Sequence, residues 1–157
     1  MKSSKPMSEA EYKAVLVSIL RQHSLPALEK LRLVGLNLSA KTRMMMIGIH
    51  PGQSKEGFFD VHIHLDGPDL YLLNKAIAPY RSLFEVSCID GRMIPDVPMF
   101  DAENAGFSVN DAFVDVCMDW AEELWSQSEG IDVAAQMFSD EGYGSVSEKP
   151  LPRGVRQ

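Results

Sequence analysis

His62-Ile63-His64 is the tightest grouping of chemically capable side chains in the chain. Histidines two apart on a strand project from one face, because successive strand side chains alternate. Both rings could then reach one divalent metal ion, with His50 or Asp60 as a third ligand across a hairpin. The plainer alternative is the solvated face of a sheet, where histidine and aspartate need no ligand.

A second grouping is acidic. Asp111, Asp115 and Asp119 recur every four residues, and Glu122 and Glu123 continue the line. Like charges at that helical spacing cost about 0.2–0.5 kcal/mol per pair, and no basic residue on the stripe relieves them. Asp96, Asp101 and Glu103 precede the stripe, and Asp140 and Glu141 follow it. Together they would form a negative surface that steers a basic protein partner, or one that serves only solubility.

These groups must be positioned by ordinary globular elements. The chain has 157 residues, 45% hydrophobic and 24% charged, which is enough for a single domain with its own core. A net charge of −7 disfavours a nucleic-acid footprint, which needs clustered Lys and Arg. Cys88 and Cys117 form no CxxC, so reduced thiols and a cytoplasmic location are expected. The N-terminus lacks the apolar stretch of a secretory signal, and no run approaches the roughly 18 apolar residues of a membrane span.

In Phe58–Leu65, Phe59, Val61, Ile63 and Leu65 alternate with Phe58, Asp60, His62 and His64, which predicts a strand with one apolar and one polar face. Asp66-Gly67 turns the chain and Pro68 suits the first turn of a helix carrying Leu70, Leu73 and Ile77 inward. Before it, a capping box of Ser8 and Glu11 opens a first helix, a second runs from Ser24 to Gly35, and Met44–His50 reads as a strand. After it come a strand over Leu83–Ile89 and an Asp90-Gly91 hairpin turn, with any return over Arg92–Ile94 confined to an edge by Pro95 and Pro98. A long loop spans Pro95–Phe107, a helix Val109–Ser126 buries Val109, Phe113, Val116, Trp120 and Leu124, and a last strand covers Val133–Phe138.

The order is α-α-β-β-α-β-α-β, an α+β fold with a mostly antiparallel sheet and helices packed on one face. Residues 1–7 are expected to fray, 8–147 to form the domain, and 148–157 to trail as a loose tail. Phe58 and Trp125 are expected at the surface, where they could support a homodimer; a monomer is equally open. No GxxxxGK[ST], GxGxxG or GxSxG occurs, which removes the usual anchors of nucleotide loops and α/β-hydrolases.

Three resemblances bear on these residues. FFDVHIHL resembles the first-strand HxH of amidohydrolase-type metal hydrolases, but no histidine follows His64 and the chain is too short for that barrel of about 250 residues. The same pair resembles the His-hydrophobic-His of HUH endonucleases, which implies Mg²⁺ or Mn²⁺ on His62 and His64 and a nucleophilic Tyr71, with Lys75 completing Y-x-x-x-K. Here Tyr71 lies only seven residues after His64, whereas that family separates the two motifs by a further stretch of chain. LDGPDLYLLNKAI, LFEV, VNDAFVDVCMDWAEELW and DEGYG in this order look like a small bacterial family known only as a domain of unknown function, over roughly Ser8–Ser145, which implies no activity and no catalytic residue. In size, acidity and architecture the chain is also similar to immunity proteins that neutralise a basic toxin, which implies a non-enzymatic interaction module without cofactor.

Overall fold

The apolar alternation in the middle of the chain builds two long neighbouring strands, β1 (Met44–Pro51) and β2 (Phe59–Asp66), paired antiparallel from Met44 opposite Asp66 to Pro51 opposite Phe59. Met45, Ile47 and Ile49 of β1 and Phe59, Val61, Ile63 and Leu65 of β2 are buried, so both strands turn one face to the core as their period predicts. The computed structural model describes residues 7–52, 58–98, 106–128 and 131–152, except the side chains of Cys88 and Glu141. Asp101 and Glu103, the Gln53–Gly57 loop, and the expected roles of Cys88 and Glu141 therefore lie outside the described residues.

Around this pair stand β3 (Ser82–Glu85), β6 (Ala134–Ser139) and β7 (Glu148–Leu151), in the order β3-β2-β1-β6-β7. All neighbours are antiparallel except β1 and β6, whose parallel register sets Gly48 beside Phe138. Helices α1 (Glu9–Gln22), α2 (Ser24–Leu36), α3 (Leu70–Ile77) and α4 (Val109–Gln127) complete the α+β fold in the expected order. The capping box of Ser8 and Glu11 is formed, and Ser108 caps α4 by accepting from the Asp111 N–H. Asp90 and Gly91, with φ of 52° and 74°, turn a separate hairpin of β4 (Ser87–Ile89) and β5 (Arg92–Ile94). Both central positions of such a two-residue turn need positive φ, which Gly adopts freely and Asp tolerates.

Four expectations are corrected. The third strand is not continuous: Val86 separates β3 from β4, its N–H going to the Phe59 carbonyl while the chain passes to the second sheet. The segment after Ser147 is not loose, because Glu148–Leu151 pairs with β6, Leu151 is buried, and Pro150 is tolerated on an edge strand. Trp125 is buried rather than exposed, with its indole N–H donated to the Pro152 carbonyl, and Phe58 is partly buried against the core. Pro68 lies outside α3: Asp69 caps the helix by accepting from the Leu72 N–H, and the first turn starts at Leu70; Leu73 and Ile77 are buried, but Leu70 is 55% exposed.

Asn74 of α3 explains how β2 ends. Beyond the short pairing with β3, the Leu65 N–H and carbonyl are met by the Asn74 amide at 2.9 and 3.0 Å, so one side chain continues the ladder. No described helix is long and apolar enough to cross a membrane.

Candidate functional site

Two places gather chemically capable side chains: the outer face of the sheet and the acidic strip of α4. On the outer face, β2 contributes Asp60, His62 and His64, β1 contributes His50, and β6 contributes Phe138, none of them fully buried. Gly48 makes their approach possible. A Cβ there would lie 2.6 Å from both His50 Nε2 and Phe138 Cζ, so the missing side chain is the space that the rings occupy. The rings of His50 and His64 meet edge to face at 5.0 Å between centroids, and those of His50 and His62 stand 6.0 Å apart.

Hydrogen bonds then run in one direction across this face. Arg81 Nη2 donates to His64 Nδ1 at 2.8 Å, His64 Nε2 and His50 Nε2 are 2.9 Å apart, and His50 Nδ1 meets the Asp140 carboxylate. A guanidinium has no acceptor and a carboxylate no donor, so the protons between them are fixed. His64 carries its proton on Nε2 and gives it to His50 Nε2; His50 carries its own on Nδ1 and gives it to Asp140. Each link is satisfied while both rings are neutral. An additional proton on either ring would set two N–H groups against each other, at the His pair or at Arg81.

The energetics agree. His64 is held well below the usual histidine range, at about 4, first by burial and then by the positive charge of Arg81 and its histidine neighbours. Burial raises the Asp60 carboxyl despite the opposing pull of His62 and His50. His62 Nδ1 lies 3.6 Å from Asp60 Oδ1, a pair that becomes ionic only when the ring is protonated.

A metal ion suits this arrangement poorly. To bind a metal through Nε2, neutral His64 would have to carry its proton on Nδ1, which faces an Arg81 donor. Among the described residues, no group of three or more His, Cys, Asp or Glu is arranged to hold a metal. The structure thus brings His50, His62, His64 and Asp60 to one face, but only His50 and His64 join the hydrogen-bonded chain, while His62 and Asp60 face each other at 3.6 Å. Tyr71 is 70% exposed on α3, and Lys75 Nζ sits 5.6 Å above its ring. Sequence reasoning missed Arg81 and assigned Asp140 to the acidic surface rather than to His50.

The strip of α4 behaves differently. Asp111 accepts from the Gly144 N–H at 2.8 Å, and Asp115 accepts from the Ser145 N–H at 2.7 Å and its hydroxyl at 2.9 Å. Glu122 binds the Lys149 ammonium, and that hydrogen bond raises the lysine's pKa. Three of the five carboxylates therefore fasten the segment around β7 to the helix. Asp119 and Glu123, one turn apart, are exposed, and their carboxylates make no hydrogen bond or ion pair among the described residues. Asp96 is exposed as well, between β5 and α4.

Between Asp119 and Glu123 on α4 and Arg21 on α1 lies a slot floored by Val17, Val116 and Trp120. Trp120 is held there by its indole N–H, donated to Ser24 Oγ at 3.0 Å.

The chain belongs to a family of unknown function, DUF6389, which matches residues 7–152 and so includes β7. No curated protein and no solved structure matches it.

Proposed function

We propose that the protein is a non-enzymatic interaction module of the bacterial cytoplasm, binding a basic protein through the exposed carboxylates of α4. One observation carries this reading: the carboxylates of Asp119 and Glu123 make no hydrogen bond or ion pair among the described residues, on a strip whose other acids are engaged, and they line a largely apolar slot. Charge held in water costs the fold little and speeds encounter with an opposite charge, while a neighbouring apolar surface supplies affinity on contact. The buried free thiol of Cys117 suits a reducing compartment. By contrast, on the outer sheet face both ring nitrogens of His50 and of His64 are already engaged, and the unmatched atoms, Asp60 Oδ1 and Arg81 Nε, are buried away from an incoming protein.

Capture of partners by immobilised protein tests this, at low ionic strength and at about 0.5 M salt, where screening acts within a few ångströms. Basic proteins retained only at low salt, and lost from Asp119→Lys/Glu123→Lys, are the expected outcome. Retention that ignores both salt and the charge reversal would contradict it.

A further inference from the structure

We infer that the slot between α1 and α4 receives an arginine side chain of the partner, a conclusion that rests on the interaction reading above. The slot has two chemically different sides. Asp119 and Glu123 line it from α4 and Arg21 from α1, together with the apolar Val17, Leu20, Val116 and Trp120. Carboxylates at i and i+4 on a helix are separated by about 6 Å at their Cβ atoms, so a planar guanidinium can donate to both. A lysine ammonium offers a point charge and no fork.

The apolar floor suits the methylene stem that leads to such a head. Arg21 repels a second cation and thereby fixes the polarity: the guanidinium lies toward α4, and backbone carbonyls of the partner face α1. Lys149 also feels the charge of Asp119, but its hydrogen bond goes to Glu122. The two acids are thus left for an incoming group.

The test uses the full chain and a defined probe, the blocked tripeptide acetyl-Gly-Arg-Gly-amide, with its citrulline counterpart as the uncharged isostere. Indole N–H resonances report the outcome: Trp120 lines the slot, while Trp125 is bonded to Pro152 elsewhere and serves as the internal reference. The expected result is a saturable shift of the Trp120 signal with the arginyl peptide alone, weakened at least about tenfold in Asp119→Asn/Glu123→Gln, the loss of one charge-assisted contact or more. Both sites are exposed, so the variant should fold, and an unchanged Trp125 signal verifies that it does. No saturable shift, or one that persists in the variant or with citrulline, overturns the slot assignment. If that happens while partner capture still depends on Asp119 and Glu123, the interaction reading stands and only the slot falls; capture that ignores the charge reversal removes the reading itself.

Discussion

The outer face of the sheet and the strip of α4 both crowd ionisable side chains together, yet they dispose of them in opposite ways. On the sheet, Arg81, His64, His50 and Asp140 pass hydrogen bonds in one direction, and the atoms left over beside that chain, Arg81 Nε and Asp60 Oδ1, are buried. On α4, backbone and side-chain donors near β7 take Asp111, Asp115 and Glu122, and leave Asp119 and Glu123 to solvent. Proximity of chemical groups is therefore a poor guide to a binding site. What matters is which of them still have bonding capacity to offer.

Glycine substitutions should separate the two regions most sharply. Gly144 has φ of +91°, and a Cβ there would lie 2.5 Å from Val114 Cγ1 on the buried side of α4. Strain and overpacking add, so Gly144→Ala should cost about 3 kcal/mol in urea unfolding. Gly48→Ala also brings a close contact, but the His50 and Phe138 rings can swing toward solvent, and the loss should be nearer about 1 kcal/mol. Equal costs would mean that the outer face is as firmly packed as the core side of the helix.

Carboxylates only four residues apart should differ next. Asp115→Ala removes the acceptor for two donors of Ser145 and should destabilise by about 1–3 kcal/mol. Asp119→Ala should stay within about 0.5 kcal/mol. A substantial loss at Asp119 would show that its carboxylate has a structural partner.

Acid should act on the sheet face. His64 titrates near 4 in the folded chain against 6.5 for an unperturbed histidine, so unfolding takes up a proton between those values. The stability it contributes is full above pH 6.5 and is lost as pH falls toward 4. The ring is only half-buried, and solvent screening limits the loss to roughly 1 kcal/mol. Asp60, with its pKa raised, works in the other direction, since its folded form gains relative to the unfolded one as the carboxyl protonates. Thermal midpoints across this range, with His64→Gln as reference, should show the decline in the parent alone; parallel curves would remove the neutral-ring chain.

Much of this was legible in the residues. Alternation through Phe59–Leu65 put the histidines on one side, Asp90-Gly91 marked its hairpin, and Ser8 with Glu11 its helix start. What escaped notice depends on long-range pairing. Asp140 reaches His50 only because β6 runs parallel to β1, and no local pattern announces a contact 90 residues away. The tail is polar and carries two prolines, yet Leu151 and the Glu122–Lys149 pair hold it as an edge strand. Five acids on one stripe looked equivalent, because sequence spacing shows which face a side chain shares and not which donors arrive there from elsewhere.

The most direct measurement sets the two regions against each other in one assay: partner capture at low salt by the parent chain, by Asp119→Lys/Glu123→Lys, and by His62→Gln/His64→Gln. The interaction account predicts that the first variant loses the partner while the second, if folded, retains it. Loss in the histidine variant with full retention by the charge reversal would contradict the account and move the working surface to the sheet.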